Sequence, residues 1–166
     1  MDLFGTLQTG ENVYLYTISS GRIQAVISDL GATMVRLYVD DTDVVLGFDD
    51  PNDYIKSGTF FGSVVGRNCN RTADASVCIN DIEYPMDKND NDCNNLHSGL
   101  DFYKNRLWSV ADHRQNAVKL TLHSPDGDQG FPGNADIAVT YSIENDGLII
   151  EHEGVCDRDT VFNVMI

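Results

Sequence analysis

The sequence predicts an all-β protein, an antiparallel β-sandwich built as one domain over residues 1–166. Three observations predict it. Strand-length segments alternate or run apolar, and turns rich in Gly, Asn and Asp separate them. No window sustains helical periodicity over a length of about ten residues or more. Short strands with such turns stack as sheets face to face.

Taken in order, Tyr14 to Ile18, Ile23 to Ser28 and Thr33 to Val39 are strands parted by Ser19-Ser20-Gly21-Arg22 and Asp29-Leu30-Gly31-Ala32. In the third, Met34, Arg36 and Tyr38 share one face by the period of two. Val44 to Phe48 reads as a further short strand, and Asp49 to Tyr54 as a loop entering one helical turn. Ala75 to Ile79 and Ile82 to Met86 form a hairpin turned at Asn80-Asp81. Ala117 to His123 sets Val118, Leu120 and Leu122 against Lys119, Thr121 and His123. Ile137 to Ile143 and Leu148 to Glu153 pair across Glu144-Asn145-Asp146-Gly147. Trp108 reads as core.

Composition excludes some classes of function. Eleven basic against 26 acidic residues leave a net charge of −15, which disfavours nucleic acid and anionic membrane as partners. A neutral small molecule is indifferent to that field. No apolar run approaches membrane-spanning length, and Met1-Asp2-Leu3-Phe4-Gly5 lacks the basic and apolar regions of a signal peptide, so a cytoplasmic protein is expected. Cys69, Cys78, Cys93 and Cys156 have no metal-type spacing and are expected as reduced thiols. The run Asp87-Lys88-Asn89-Asp90-Asn91-Asp92 imitates a calcium loop but has Asp92 where Gly is needed and Ser98 where Glu is needed, so it reads as a solvated loop.

The chemistry concentrates between Phe60 and Gly99. Gly66-Arg67-Asn68-Cys69-Asn70-Arg71 ends an apolar, glycine-bearing run, and Leu96-His97-Ser98-Gly99 follows one hairpin later. A hairpin returns its ends to one place, so Asn70, Arg71 and His97 are expected at one end of a sheet, where fixed donors hold a ligand rich in hydroxyls. Taken singly, Arg71 is a surface or ion-paired arginine and His97 a loop histidine. The flanking motifs reverse that reading. His113, His123 and His152 lack such context and read as exposed residues.

These motifs resemble those of the aldose 1-epimerases, which carry Gly-Arg-x-x-Asn-Arg followed by Leu-His-Gly-Gly. Asp126-Gly127-Asp128-Gln129-Gly130-Phe131-Pro132-Gly133 is similar to the family's Asp-Gly-x-x-Gly-Tyr-Pro-Gly turn, and Thr160-Val161-Phe162-Asn163 to its Thr-Pro-Val-Asn. Four motifs in the family's order cover nearly all of this chain and only the N-terminal part of a family member. Three positions depart from the pattern: Ser98 replaces a glycine, Cys69 stands at a position that prefers alanine, and Val161-Phe162 replaces Pro-Val.

The resemblance implies a galactose mutarotase-like supersandwich, here truncated, and interconversion of the anomers of galactose or glucose without metal or organic cofactor. It implies that Asn70, Arg71 and His97 contact the sugar, with Arg71 forking to ring hydroxyls and His97, the catalytic candidate, near the ring oxygen. Arg67 is expected to pin a carboxylate beneath the site, and Phe131 either to line it or to serve the turn. In the family the base is a late glutamate and the acid a histidine soon after Thr-Pro-Val-Asn. Both are expected beyond Ile166, leaving this chain the substrate-holding part of the site and inactive alone. Two alternatives stay open: a non-catalytic carbohydrate-binding module, and a half-domain needing a complementing C-terminal chain. Self-association or such a complementing half is the expected partner besides the sugar.

Overall fold

A computed structural model describes all residues 1–166. Thirteen strands form in chain order: β1 (Asp2–Thr6), β2 (Asn12–Ser20), β3 (Ile23–Ser28), β4 (Met34–Val39), β5 (Thr42–Asp43), then, after a short helix α1 (Pro51–Lys56), β6 (Arg71–Thr72), β7 (Ser76–Ile79), β8 (Ile82–Pro85), β9 (Asn95–Leu96), β10 (Ser109–Arg114), β11 (Ala117–Ser124), β12 (Ala135–Glu144) and β13 (Gly147–Cys156). They make two antiparallel meanders, β1 to β5 and β10 to β13, with the small pairs β6–β9 and β7–β8 beside them. The expected all-β sandwich is the observed architecture.

Two turns show why the sequence hairpins where it does. Asn80 and Asp81 join β7 to β8 with φ of 52° and 63°, and Asn145 and Asp146 join β12 to β13 with φ of 49° and 60°. Two consecutive left-handed residues match the twist of antiparallel strands, and Asn and Asp enter that region at the least cost after Gly. Asp40 and Asp41 do the same between β4 and β5, with φ of 47° and 65°.

The sandwich core lies between the inner faces of the two meanders. Tyr16 and Ile18 of β2, with Ile23, Ala25 and Ile27 of β3, meet Val118 and Leu120 of β11 and Ile137, Val139, Tyr141 and Ile143 of β12. Trp108 is buried in this cluster, as expected, and donates Nε1–H to Tyr103 O at 3.3 Å. The Tyr141 hydroxyl crosses between the layers to Ala32 O at 2.7 Å.

One expected strand is absent. The pairing with β4 stops after Thr42–Asp43, and Val44 to Phe48 runs as irregular chain. The cause is the Asp43 carboxylate. Val44 N–H still donates to Leu37 O at 2.8 Å, but the Leu37 N–H that would complete that pair goes to Asp43 Oδ1 at 3.2 Å. The same oxygen accepts the Val45 N–H at 3.3 Å and bends the chain away. The helical turn after it is real and longer than expected. Asp50 caps α1 by accepting the Asn52 N–H at 2.8 Å, and Pro51 opens it. At its other end the buried Lys104 ammonium donates to Tyr54 O at 2.8 Å and Ser57 O at 3.2 Å. No carboxylate pairs with this lysine, so burial lowers its pKa.

β13 is an edge strand of its meander, and Glu151 to Val155 are exposed on both faces, Val155 by 71%. Phe162 and Met165 are also exposed large apolar residues. No helix is long and apolar enough to cross a membrane.

Candidate functional site

The site grows from one short antiparallel pair. Arg71 faces Leu96 and Thr72 faces Asn95 where β6 meets β9. The intervening hairpin β7–β8 folds the chain back, which brings Asn70 and His97 together at the end of that pair. They bond twice. His97 N–H donates to Asn70 O at 3.0 Å, and Asn70 N–H donates to His97 Nδ1 at 3.0 Å. Both residues are left-handed, with φ of 66° at Asn70 and 55° at His97. The Asn70 side chain steadies its own bend, its Oδ1 accepting the Arg71 N–H at 3.1 Å.

The bond to Nδ1 fixes the chemistry of His97. A backbone N–H has one proton to give, so Nδ1 must be the unprotonated nitrogen and Nε2 must carry the ring proton. The ring lies against Phe60, with centroids 4.6 Å apart, and Phe60 meets Phe102 edge-on at 5.1 Å. Burial in this aromatic setting lowers the His97 pKa, and the Arg71 charge lowers it further. His97 is therefore a neutral imidazole at pH 7, offering Nε2–H as a donor.

We expect the His97 ring to titrate below the usual histidine value of about 6.5, followed by its ring-proton shifts. The sign for stability follows. The unfolded chain takes up the proton first, so the contribution of His97 is whole above about pH 6.5 and is lost as pH falls toward the folded pKa. A midpoint above the usual value would contradict both the burial and the bond from Asn70.

Arg71 is paired as well as placed. Its Nε donates to Asp90 Oδ2 at 3.1 Å, and Nη2 lies 3.5 Å from Oδ1. The Arg71 side chain is 59% exposed and that of Asp90 only 12%. Burial pushes the Asp90 carboxyl up, but hydrogen bonds from Arg71 and Asn94 outweigh it and hold the pKa below the usual range.

The run read as a solvated loop is thus the brace of the site. Asn89 grips the β9 turn from both sides, accepting Leu96 N–H at 2.6 Å and donating to Leu96 O at 2.9 Å and Gly99 O at 3.2 Å. Ser98 is fully buried, and its hydroxyl accepts Asn68 N–H and donates to Asn68 O, each at 2.8 Å. It does so with φ of 72°, the conformation a glycine would adopt freely. The serine exchanges that freedom for a clamp between the two motifs.

Beneath the site Arg67 is completely buried. It does not pin a carboxylate directly, which corrects the expectation. Its Nη1 donates to Pro132 O, Gly133 O and Thr160 Oγ1 at 3.0, 3.2 and 3.3 Å, and its Nη2 to Ser124 O and Oγ at 3.2 and 2.5 Å. The carboxylate of Asp128 is reached only through Ser124 Oγ, at 2.6 Å, because Arg106 already holds it at 2.7 and 2.8 Å. Phe131 is fully buried beside the guanidinium, 5.5 Å from its ring centroid, and so serves packing. The segment around Asn163 docks alongside. Cys69 N–H donates to Asn163 O at 2.9 Å, and Asn163 N–H to Arg67 O at 3.0 Å.

Asn70, Arg71 and His97 therefore share one end of the β6–β9 pair. They form an open shelf, and none of the four concavities of the surface includes them. The largest, about 710 Å³, lies on the β10–β13 meander and takes in His123 and Asp136, which pair at 2.8 Å. No three His, Cys, Asp or Glu side chains gather where a metal would bind. Sequence reasoning missed Phe60, Asn89, Asp90 and Ser98 as supports of the shelf.

Comparison with known proteins agrees with this architecture. The aldose 1-epimerase family profile matches residues 14–165. An aldose 1-epimerase of Haemophilus influenzae is 40% identical over 141 residues, covering 82% of this chain and 41% of that protein. A galactose mutarotase of Sus scrofa is 31% identical over 168 residues, covering 98% of this chain and 48% of that one. Among solved structures, an aldose epimerase homologue from C. elegans superposes with a TM-score of 0.84 at 29% identity, covering 92% of this chain and 49% of that one. A galactose 1-epimerase from Lactobacillus acidophilus gives 0.82 at 26%, covering 93% and 47%. The chain spans about half the length of the relatives it matches. It belongs to the aldose 1-epimerase family.

Proposed function

We propose that this chain supplies the sugar-holding part of a site that interconverts the anomers of a free aldohexose, galactose or glucose, by opening and reclosing the ring. The observation that carries the reading is the joined pair Asn70 and His97 beside Arg71. Two donors, the Nε2–H of a neutral imidazole set by backbone bonds and a guanidinium edge set by Asp90, need little reorganisation to meet hydroxyls.

Ring opening also needs a base for the anomeric hydroxyl and an acid for the ring oxygen. The one carboxylate bonded to any of the three residues is Asp90, and it is tied to the guanidinium. The other histidines are engaged elsewhere or lie on strands: His113 at Thr17 O, His123 at Asp136, His152 in β13. In this reading the acid–base pair comes from family residues outside this stretch, and the free edge of β13 is where further strands pair.

Binding and turnover separate the possibilities. The chain is expected to bind galactose weakly while changing the optical rotation of fresh α-galactose scarcely faster than buffer. Each missing acid or base removes about two to four orders of magnitude. Arg71→Ala is expected to weaken galactose binding by roughly tenfold or more, since bonds to a charged donor contribute about 1.5–3 kcal/mol. A fast enzyme-dependent rate abolished by Arg71→Ala would place the acid and base within these residues. No binding would refute the sugar-holding reading.

A further inference from the structure

The Arg71–Asp90 pair sets what kind of sugar the shelf accepts. A guanidinium has five N–H donors. Asp90 takes the Nε edge, through Nε at 3.1 Å and more loosely through Nη2 at 3.5 Å. Nη1, with both its protons, and the second proton of Nη2 remain, and the side chain is 59% exposed toward solvent. Asp90 is itself fixed. Asn94 N–H donates to Asp90 O at 2.9 Å, and Asn94 Nδ2 lies 3.4 Å from Oδ2. The carboxylate is thus fixed within the brace loop and holds the exposed arginine.

Charge decides the consequence. Arg71 is the charged group that acts on the His97 ring, and the neutral ring adds none of its own. Phe60 and Phe102 complete its apolar side. With Asp90 against the guanidinium, the pair presents cationic donor geometry with its charge largely offset. A hydroxyl needs only the donors. A sugar carboxylate or phosphate needs the charge, and meets Asp90 as a like charge.

We infer that Asp90 is a positioning and specificity-determining residue, turning the free edge of Arg71 outward and rendering the shelf selective for neutral over anionic sugars. This rests on the sugar-holding reading, and the test separates the two. Galactose and galacturonate share a ring and differ in a carboxylate, so the ratio of their affinities reports charge selectivity. Titrations of each are followed by the His97 ring resonances, at a pH where His97 is neutral and galacturonate ionised. The wild-type chain is expected to prefer galactose, and Asp90→Asn, which keeps size and acceptor, to move the ratio about threefold to fivefold toward galacturonate, the scale of a solvent-facing ion pair. Asp90→Glu keeps the wild-type preference.

Galactose binding with an unchanged ratio in Asp90→Asn overturns the inference. If neither sugar binds, the sugar-holding reading fails, and the acid titration of His97 still judges Asp90. Its midpoint falls by a few tenths of a unit in Asp90→Asn, where Arg71 is no longer neutralised, and rises in Arg71→Ala. A midpoint unmoved by Asp90→Asn overturns the inference without any sugar.

Discussion

Replacing Arg67 with methionine is expected to destabilise the protein by roughly 3–5 kcal/mol, the range for stripping the charged donor from a buried network. Methionine fills much of the volume between Phe131 and Phe162, whose ring centroids lie 5.5 and 6.0 Å from the guanidinium. It gives no donor. The carbonyls of Ser124, Pro132 and Gly133 and the hydroxyls of Ser124 and Thr160 lose a partner together, inside a region with no exposure at Arg67. The effect reaches the shelf, because Arg67 links the Thr160–Asn163 segment to the Gly66–Arg71 motif. Arg67→Lys is expected to fall between, since one ammonium cannot span acceptors on both sides of a planar fork. Urea unfolding of the three proteins measures it. A loss of under about 1 kcal/mol for methionine would show that water replaces the guanidinium.

The second large effect is expected at Gly66. A Cβ there would lie 2.5 Å from His97 O, 2.7 Å from Ser98 Oγ and 2.9 Å from Ser98 Cβ. The obstacle includes backbone, and that backbone has little room to yield. His97 and Ser98 are already left-handed, Asn89 holds the flanking Leu96 and Gly99, and Asn68 holds Ser98. Gly66→Ala is therefore expected to lose about 3 kcal/mol, the upper end for overpacking, and to abolish sugar binding by displacing His97. Adding Ser98→Gly removes two of the three collisions but not the carbonyl. Partial recovery of stability in the double variant, read by the same unfolding curves, is the expected signature. Full recovery would mean that the serine side chain alone is the obstacle.

Most strands that the sequence shows plainly have one face in the sandwich core, and the hairpin β7–β8 is legible instead through its Asn80-Asp81 turn. Ile23–Ser28 is found as expected, and β2, β11, β12 and β13 extend one or more residues beyond their expected ends. β1 and β10 left no such trace. Both are edge strands, β10 is exposed along most of its length, and each carries a register shift, so neither repeats an apolar residue every second position. At the shelf, Asn70, Arg71 and His97 were legible through their motifs and the returning hairpin. Asp90 was not. Its partner sits 19 residues away, across two strands and a turn, and an Asn- and Asp-rich run gives the same composition whether it faces water or grips an arginine. Ser98 looked like a loss of backbone freedom, and only its two bonds to Asn68 show what replaced it.

The docking of Asn163 beside Cys69 also sets an order of events in time. Each meander is made of neighbouring strands, most of them joined by short turns, so its contacts close small loops and are expected to form early. The shelf is completed by contacts between residues 93 and 94 positions apart, Arg67 with Thr160 and Cys69 with Asn163. Closing loops of that length follows the local pairings. Interactions made after the rate-limiting step leave the folding rate nearly unchanged and slow unfolding instead. Arg67 is therefore expected to act as a late latch, its loss shortening the lifetime of the folded chain while the two meanders assemble at their own speed.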